Sequence, residues 1–189
     1  MKSLFIALIA AVSFSAHANN NIAVEVVQSI TTKTIIAEEA AMNWAVGDTA
    51  AYNIDVASFI KGTLTVSVKA LDENNLTLSQ IVDLGPMGKQ NCEAILDPNT
   101  GKAKKMTCDG KDQDTNSGEI KVDDMKQESV TVPAGTFQTT HVTAHTTKDN
   151  SKIEQWINPK AIPVLGMAKS IMQSQLGPVN MELTSFKKN

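Results

Sequence analysis

Leu64-Thr65-Val66-Ser67-Val68-Lys69-Ala70, followed by Leu76-Thr77-Leu78-Ser79-Gln80-Ile81-Val82-Asp83-Leu84, decides the fold of this chain. Apolar residues fall on alternate positions, the signature of a strand with one face in a core and one in water. Gln80 is the one break in that alternation. Upstream, Tyr52, Ile54 and Val56 alternate with Asn53, Asp55 and Ala57 in the same way. Lys61-Gly62, Asp72-Glu73-Asn74-Asn75 and Gly85-Pro86-Met87-Gly88 carry turn residues between the runs. Strands about ten residues apart predict antiparallel hairpins, not helix-linked parallel units.

The same reading extends downstream. Val132-Pro133-Ala134-Gly135-Thr136 predicts a hairpin with a three-residue loop and a bulge, Pro presetting φ and Gly135 taking a left-handed position. Its flanks, Ser129–Val132 and Thr136–Ala144, are rich in β-formers, and Lys152–Ile157 and Val179–Phe186 complete the set. Brackets at Gly166 and Gly177-Pro178 favour a strand within Val164–Gln175. Between Ile22 and Met42, Val26, Val27, Ile30, Thr34, Ala37 and Ala41 recur at helical spacing, against β-branched residues that lower helix propensity. A helix over part of 22–42 is expected.

The N-terminus supplies an address. Lys2, the apolar run from Leu4 to Phe14 and Ala16-His17-Ala18 before Asn19 read as a secretory signal with its cleavage site. The apolar run is too short for a bilayer span, which takes about 20 residues, and no Cys follows the cleavage site to carry a lipid. Three segments are expected: a signal peptide over 1–18, a partly helical arm over 19–43 and an antiparallel β domain over 44–189. Periplasmic localisation is expected, with secretion as the alternative.

Cys92 and Cys108 flank the turn signal Asp97-Pro98-Asn99-Thr100-Gly101. Folding there sets them opposite each other, so they are expected to form a disulfide, as an even pair in an exported chain does. A bridge closing about 15 residues is worth roughly 3 kcal/mol in the chain-entropy model. The spacing is not C-x-x-C, and no His lies nearby to suggest a metal or redox pair.

Charge and motifs exclude several functions. The 189 residues carry a formal net charge of −3 and contain no Arg, the preferred partner of phosphates and guanine edges. Nucleic acid and anionic membrane surfaces are therefore not expected partners. The chain has no G-x-S-x-G elbow, H-E-x-x-H or phosphate-binding glycine loop, so no enzyme and no cofactor are expected. His141 and His145 would lie about 13 Å apart on an extended strand, too far to share a metal. Asp112, Asp114, Asn116 and Asp123 occupy positions one, three, five and twelve of a calcium-type loop, but Ser117 stands where a Gly is needed and the last ligand is Asp, not Glu. That run reads as a solvated acidic hairpin tip.

Trp44-Ala45-Val46-Gly47-Asp48 leading to Tyr52, Val130 to Phe137 (Val-Thr-Val-Pro-Ala-Gly-Thr-Phe), Trp156-Ile157-Asn158-Pro159 with Pro163 to Gly166, and Met181 to Phe186 together resemble a group of poorly characterised bacterial periplasmic proteins. That group is similar to the LolA-type lipoprotein carriers. The resemblance covers about residues 44–186 and implies a strongly curved antiparallel sheet, a half-barrel with one or two helices against its concave face, around an apolar cavity for lipid or acyl chains. It carries no catalytic residue. The expected function is therefore non-catalytic binding of an apolar or lipid-like ligand, with Tyr52, Phe59, Phe137 and Trp156 in the cavity wall and Trp44 at its rim. Seven Met residues besides Met1 suit an adaptable apolar interior. The alternative expectation is an envelope protein-interaction or assembly module.

Overall fold

The computed structural model describes residues 17–33, 43–115, 119–174 and 176–189. The signal-like segment 1–16, the helical positions Thr34, Ala37 and Ala41, and Asn116 lie outside these residues. Among the described residues one α-helix, α1 (His17–Lys33), precedes eleven strands. These are β1 (Thr49–Val56), β2 (Ile60–Leu71), β3 (Leu76–Asp83), β4 (Lys89–Leu96), β5 (Ala103–Cys108) and β6 (Lys111–Asp112), then β7 (Ile120–Val132), β8 (Gly135–Thr146), β9 (Lys152–Ile157), β10 (Met167–Ser174) and β11 (Gly177–Lys187).

All eleven strands form one antiparallel sheet, in the order β6-β5-β4-β3-β2-β1-β11-β10-β9-β8-β7. Two meanders, β1–β6 and β7–β11, are therefore sewn together where the first strand pairs with the last, Tyr52 opposite Leu183 and Ile54 opposite Met181. The sheet is strongly curved and open, a half-barrel. Alternation sets its two faces. Tyr52, Ile54, Leu64, Val66, Leu76, Leu78, Val82, Ala94, Met106, Met172, Val179, Met181 and Leu183 are buried on the inner one.

α1 closes part of that inner face. Ala23, Val26, Val27 and Ile30, at i, i+3, i+4 and i+7, form one apolar stripe and are all buried in the common core. The helix packs against β3, β4 and β5 on one wall and β10 on the other. Burying each of Val26, Val27 and Ile30 is worth about 1.5–3 kcal/mol, which outweighs the low intrinsic helix propensity of β-branched residues.

Three local expectations need correction. Lys61-Gly62 is not a turn: both residues lie in β2, and the β1–β2 turn is Ala57-Ser58-Phe59, closed by Val56 opposite Ile60. Gly62 is needed for space. A Cβ there would sit 2.3 Å from Asp83 O and 2.6 Å from Leu84 Cδ2. The hairpin at Pro133-Ala134 has a two-residue turn, with Val132 opposite Gly135, although Gly135 does keep a positive φ of 136°. The acidic run is a hairpin tip only at its start, where Asp109-Gly110 joins β5 to β6 with Cys108 opposite Lys111. After β6, at one edge of the sheet, the next strand is β7 at the other edge, and Gln28 of α1 donates a hydrogen bond to Asp114 O.

Cys92 and Cys108 face each other across β4 and β5 and form a disulfide. The turn between them falls at the expected place: Asp97 Oδ1 accepts from Asn99 N at 2.9 Å and Thr100 N at 3.1 Å. Those two N–H groups hold the Asp97 carboxyl below the usual carboxylate range. Asp72 closes the β2–β3 turn the same way, accepting from Asn74 N and Asn75 N, both at 2.8 Å, and its carboxyl is likewise held low.

Candidate functional site

A recess opens on the inner face, between the sheet and the segments that cover it. Leu76, Leu78, Gln80 and Leu96 of β3 and β4 line it, with Gly101 from the β4–β5 turn. Thr31 of α1, Trp44, Val164 and Leu165 close it. The strand register orders these walls: Leu76 lies opposite Leu96, and Gln80 lies opposite the disulfide residue Cys92. The lining is apolar apart from Gln80 and Thr31. As it stands, the recess has room for about one water molecule.

Two segments outside the sheet hold its covering side. The Trp44 indole N–H donates to Val164 O at 2.9 Å. Val164 has φ +69°, an outlying conformation for a β-branched residue. The Trp44 stretch is anchored by buried Asp48, whose carboxylate accepts from Ala45 N at 2.9 Å and Asn189 N at 2.8 Å. Asn189 Nδ2 in turn donates to Val46 O at 2.9 Å. Gly47 has φ +93°, a backbone conformation that side-chain-bearing residues rarely adopt.

At the end of the recess, Thr31 Oγ1 is 2.8 Å from Gln80 Oε1 and 2.9 Å from Val27 O. Gln80 is completely buried, and its Nε2 has no hydrogen-bond partner among the described residues.

The five aromatic residues expected to line a cavity are dispersed. Trp44 does line the recess. Tyr52 is fully buried in the core, and its hydroxyl donates to Met167 O at 3.1 Å; burial pushes the phenol well above its ordinary range. Phe59 is 72% exposed in the β1–β2 turn. Phe137 is half-buried with its ring 6.2 Å from that of Phe186. Trp156 lies on the outer face, opposite Lys169 and His141, whereas the neighbouring inner-face pairs are Ser170 with Gln155 and Val142 with Gln155.

Around Trp156 the outer face carries a compact polar cluster. The His141 ring stacks on the indole at 4.1 Å between centroids and 8° between planes. Lys169 Nζ sits 5.7 Å from the indole centroid and 2.9 Å from Glu182 Oε1. The indole N–H donates to Glu128, which also meets Lys126 at 3.0 Å; these contacts hold the Glu128 carboxyl below its ordinary range, the indole contributing most. His141 Nδ1 is 3.2 Å from Glu128 Oε1 and Nε2 is 3.4 Å from Glu154 Oε2, neither aligned as a hydrogen bond. His145 Nδ1 pairs with Asp123 at 2.8 Å. Asp112 pairs with Lys105 at 3.2 Å, and Asp114 lies 3.8 Å from Lys148. Asp112, Asp114 and Asp123 thus have separate partners. Among the described residues no three His, Cys, Asp or Glu side chains gather as metal ligands.

Sequence reasoning missed Gln80, Thr31, Leu76, Leu78, Leu96, Val164 and Leu165 as site residues. One signal for them was available: Gln80 is a polar residue at an inward position of an otherwise apolar strand face.

Comparison with solved structures shows the fold. The hypothetical protein CT021 from Chlamydia trachomatis superposes with a TM-score of 0.53 at 8% identity, over 79% of this chain and 91% of that one. MucB gives a TM-score of 0.41 at 9% identity, over 92% of this chain and 59% of MucB. No protein-family model and no curated protein matches the sequence. The likeness to CT021 is one of fold alone. Among the described residues no helix is long and apolar enough to cross a membrane.

Proposed function

We propose that this chain is an exported, envelope-associated protein that binds an apolar, lipid-like ligand on the inner face of its half-barrel, without catalysis. The observation that supports this best is the apolar recess between the sheet and two separately held covers, α1 and the Trp44 stretch. A half-barrel whose concave face is closed by parts outside the sheet can widen without breaking a strand pair, because Thr31 and Trp44 can move apart while β3 and β4 stay paired. The resemblance to lipoprotein carriers points the same way. Export is supported by the Lys2–Ala18 pattern and by the Cys92–Cys108 disulfide. Cleavage after Ala18 would leave α1 starting at Asn19, with Ala23, Val26, Val27 and Ile30 still present to cover the sheet.

A homologous series of lysolipids, titrated below their micellar concentrations against tryptophan fluorescence, tests this reading. Each added methylene should tighten binding about fourfold, from about 0.8 kcal/mol of transfer free energy. Binding that ignores chain length would remove the reading.

A second reading, a protein-interaction module, is favoured by a different feature. β7 is an edge strand, and on its inner-face side Val122 and Met125 are 48% and 61% exposed. Unpaired edge backbone beside apolar side chains is what strand-addition partners use. Charged neighbours Lys121, Asp124 and Lys126 and the bulge at Asp123 are edge-protecting features, and they place this reading second.

A further inference from the structure

We propose that the Gln80 carboxamide is a polar contact for the ligand, selecting an apolar chain that carries a neutral oxygen group, as an alcohol does. This rests on the apolar-ligand reading above and names the chemistry of the same recess.

Gln80 is fully buried and lines the recess, yet one atom of its amide has no partner among the described residues. The Thr31 hydroxyl has one proton to share between Val27 O and Gln80 Oε1. If it goes to Gln80 Oε1, the amide nitrogen is left without an acceptor. If it goes to Val27 O, the usual i−4 acceptor of a helical threonine, the amide can turn over. Its nitrogen then donates to Thr31 and its oxygen lacks a donor. Either way one amide atom of this lining residue is left unpaired, and buried polar groups in folded proteins are paired nearly without exception. A hydroxyl donates and accepts, so it completes both arrangements. A carboxylate does not suit the site. The described walls, Leu76, Leu78, Leu96, Trp44, Val164, Leu165, Gly101 and Thr31, include no cation, and a buried unpaired charge is far more costly than a buried neutral oxygen.

The test uses the mature chain and three probes of equal chain length: 1-octanol, n-octane and octanoate. Binding is followed by the side-chain amide resonances of Gln80 and the indole resonance of Trp44. In the wild type, octanol should bind more tightly than octanoate and should shift the Gln80 amide. The preference for octanol over octane should fall roughly tenfold in Gln80→Leu, the loss expected for one hydrogen bond near the upper end of its range. Gln80→Met, closer in shape, should give the same loss and guards against a local repacking effect of leucine. An octanol preference unchanged in both variants would overturn the role of Gln80 while leaving the apolar-ligand reading intact. Tighter binding of octanoate than octanol would also overturn it. No binding of any probe to the wild type would remove the apolar-ligand reading and this inference with it.

Discussion

Replacing Gly62 with alanine gives a direct check on the strand register beneath the candidate site. In a strand without steric conflict, glycine to alanine stabilises by about 0.4–1 kcal/mol, because the unfolded chain loses freedom. Gly62 should do the reverse. The new Cβ would lie 2.3 Å from Asp83 O, 2.6 Å from Leu84 Cδ2 and 3.0 Å from Leu84 Cα. Weak carbon–oxygen contacts sit at about 3.3–3.6 Å, so β2 and β3 must separate locally by about 1 Å. A hydrogen bond stretched that far is lost. Overpacking of about 1–3 kcal/mol and a lost ladder bond of about 1 kcal/mol together predict a destabilisation of about 2–4 kcal/mol. For a domain of this size that lowers Tm by roughly 5–15 °C. Urea denaturation with an unchanged m-value and a lowered midpoint would report it. A midpoint equal to or above the wild type would refute the register that places Gly62 against the β3 backbone.

Three further outcomes follow from the same structure. Cys108→Ser should lower stability by roughly 3 kcal/mol, and the native protein should show no titratable thiol; free thiols in the folded, exported chain would contradict the Cys92–Cys108 pairing. Gly135→Val should destabilise well beyond a surface substitution because of φ +136°, since the nearest side chain, Phe137, is 3.9 Å from an added Cβ and leaves room; an unchanged Tm would mean the turn relaxes freely. The Asp72 and Asp97 carboxyls should titrate below the ordinary aspartate range by NMR, and because their folded values are depressed, their stabilising effect is present above the unfolded pKa and is lost as pH falls through the folded one. Asp72→Asn and Asp97→Asn should flatten that acid limb; an unaltered acid limb in both would show that the turn bonds contribute nothing to it.

Much of the fold was legible in the sequence because it rests on period-two alternation. β1, β2 and β3 announce themselves through Tyr52 to Val56, Leu64 to Ala70 and Leu76 to Leu84, and the Asp97–Gly101 turn fixes Cys92 opposite Cys108. Gly62 misled because a glycine placed for space reads the same as one placed for a turn; only the approach of Asp83 O distinguishes them. The acidic run misled only past its start. Asp109-Gly110 is a turn, but local turn chemistry does not reveal that the strand after β6 lies at the opposite edge of the sheet. The candidate site was less legible. Large aromatic residues drew attention to Tyr52, Phe137 and Trp156, yet a residue's size does not say which face of a strand it occupies. Trp156 is on the outer face against His141, and Tyr52 spends its hydroxyl on Met167 O. Gln80 was visible as a break in pattern, but its meaning required Thr31 and Val164, which come from distant parts of the chain.

On the function proposed above, the half-barrel holds an apolar ligand between its inner face and the α1–Trp44 cover. Native mass spectrometry of the protein, expressed with its own N-terminal segment and recovered from the periplasm, tests it most directly. The expected species is the chain shortened by residues 1–18, with one disulfide and an apolar adduct that is released on denaturation. A bare polypeptide mass, with no adduct retained when long-chain alcohols or lysolipids are added back, would contradict it.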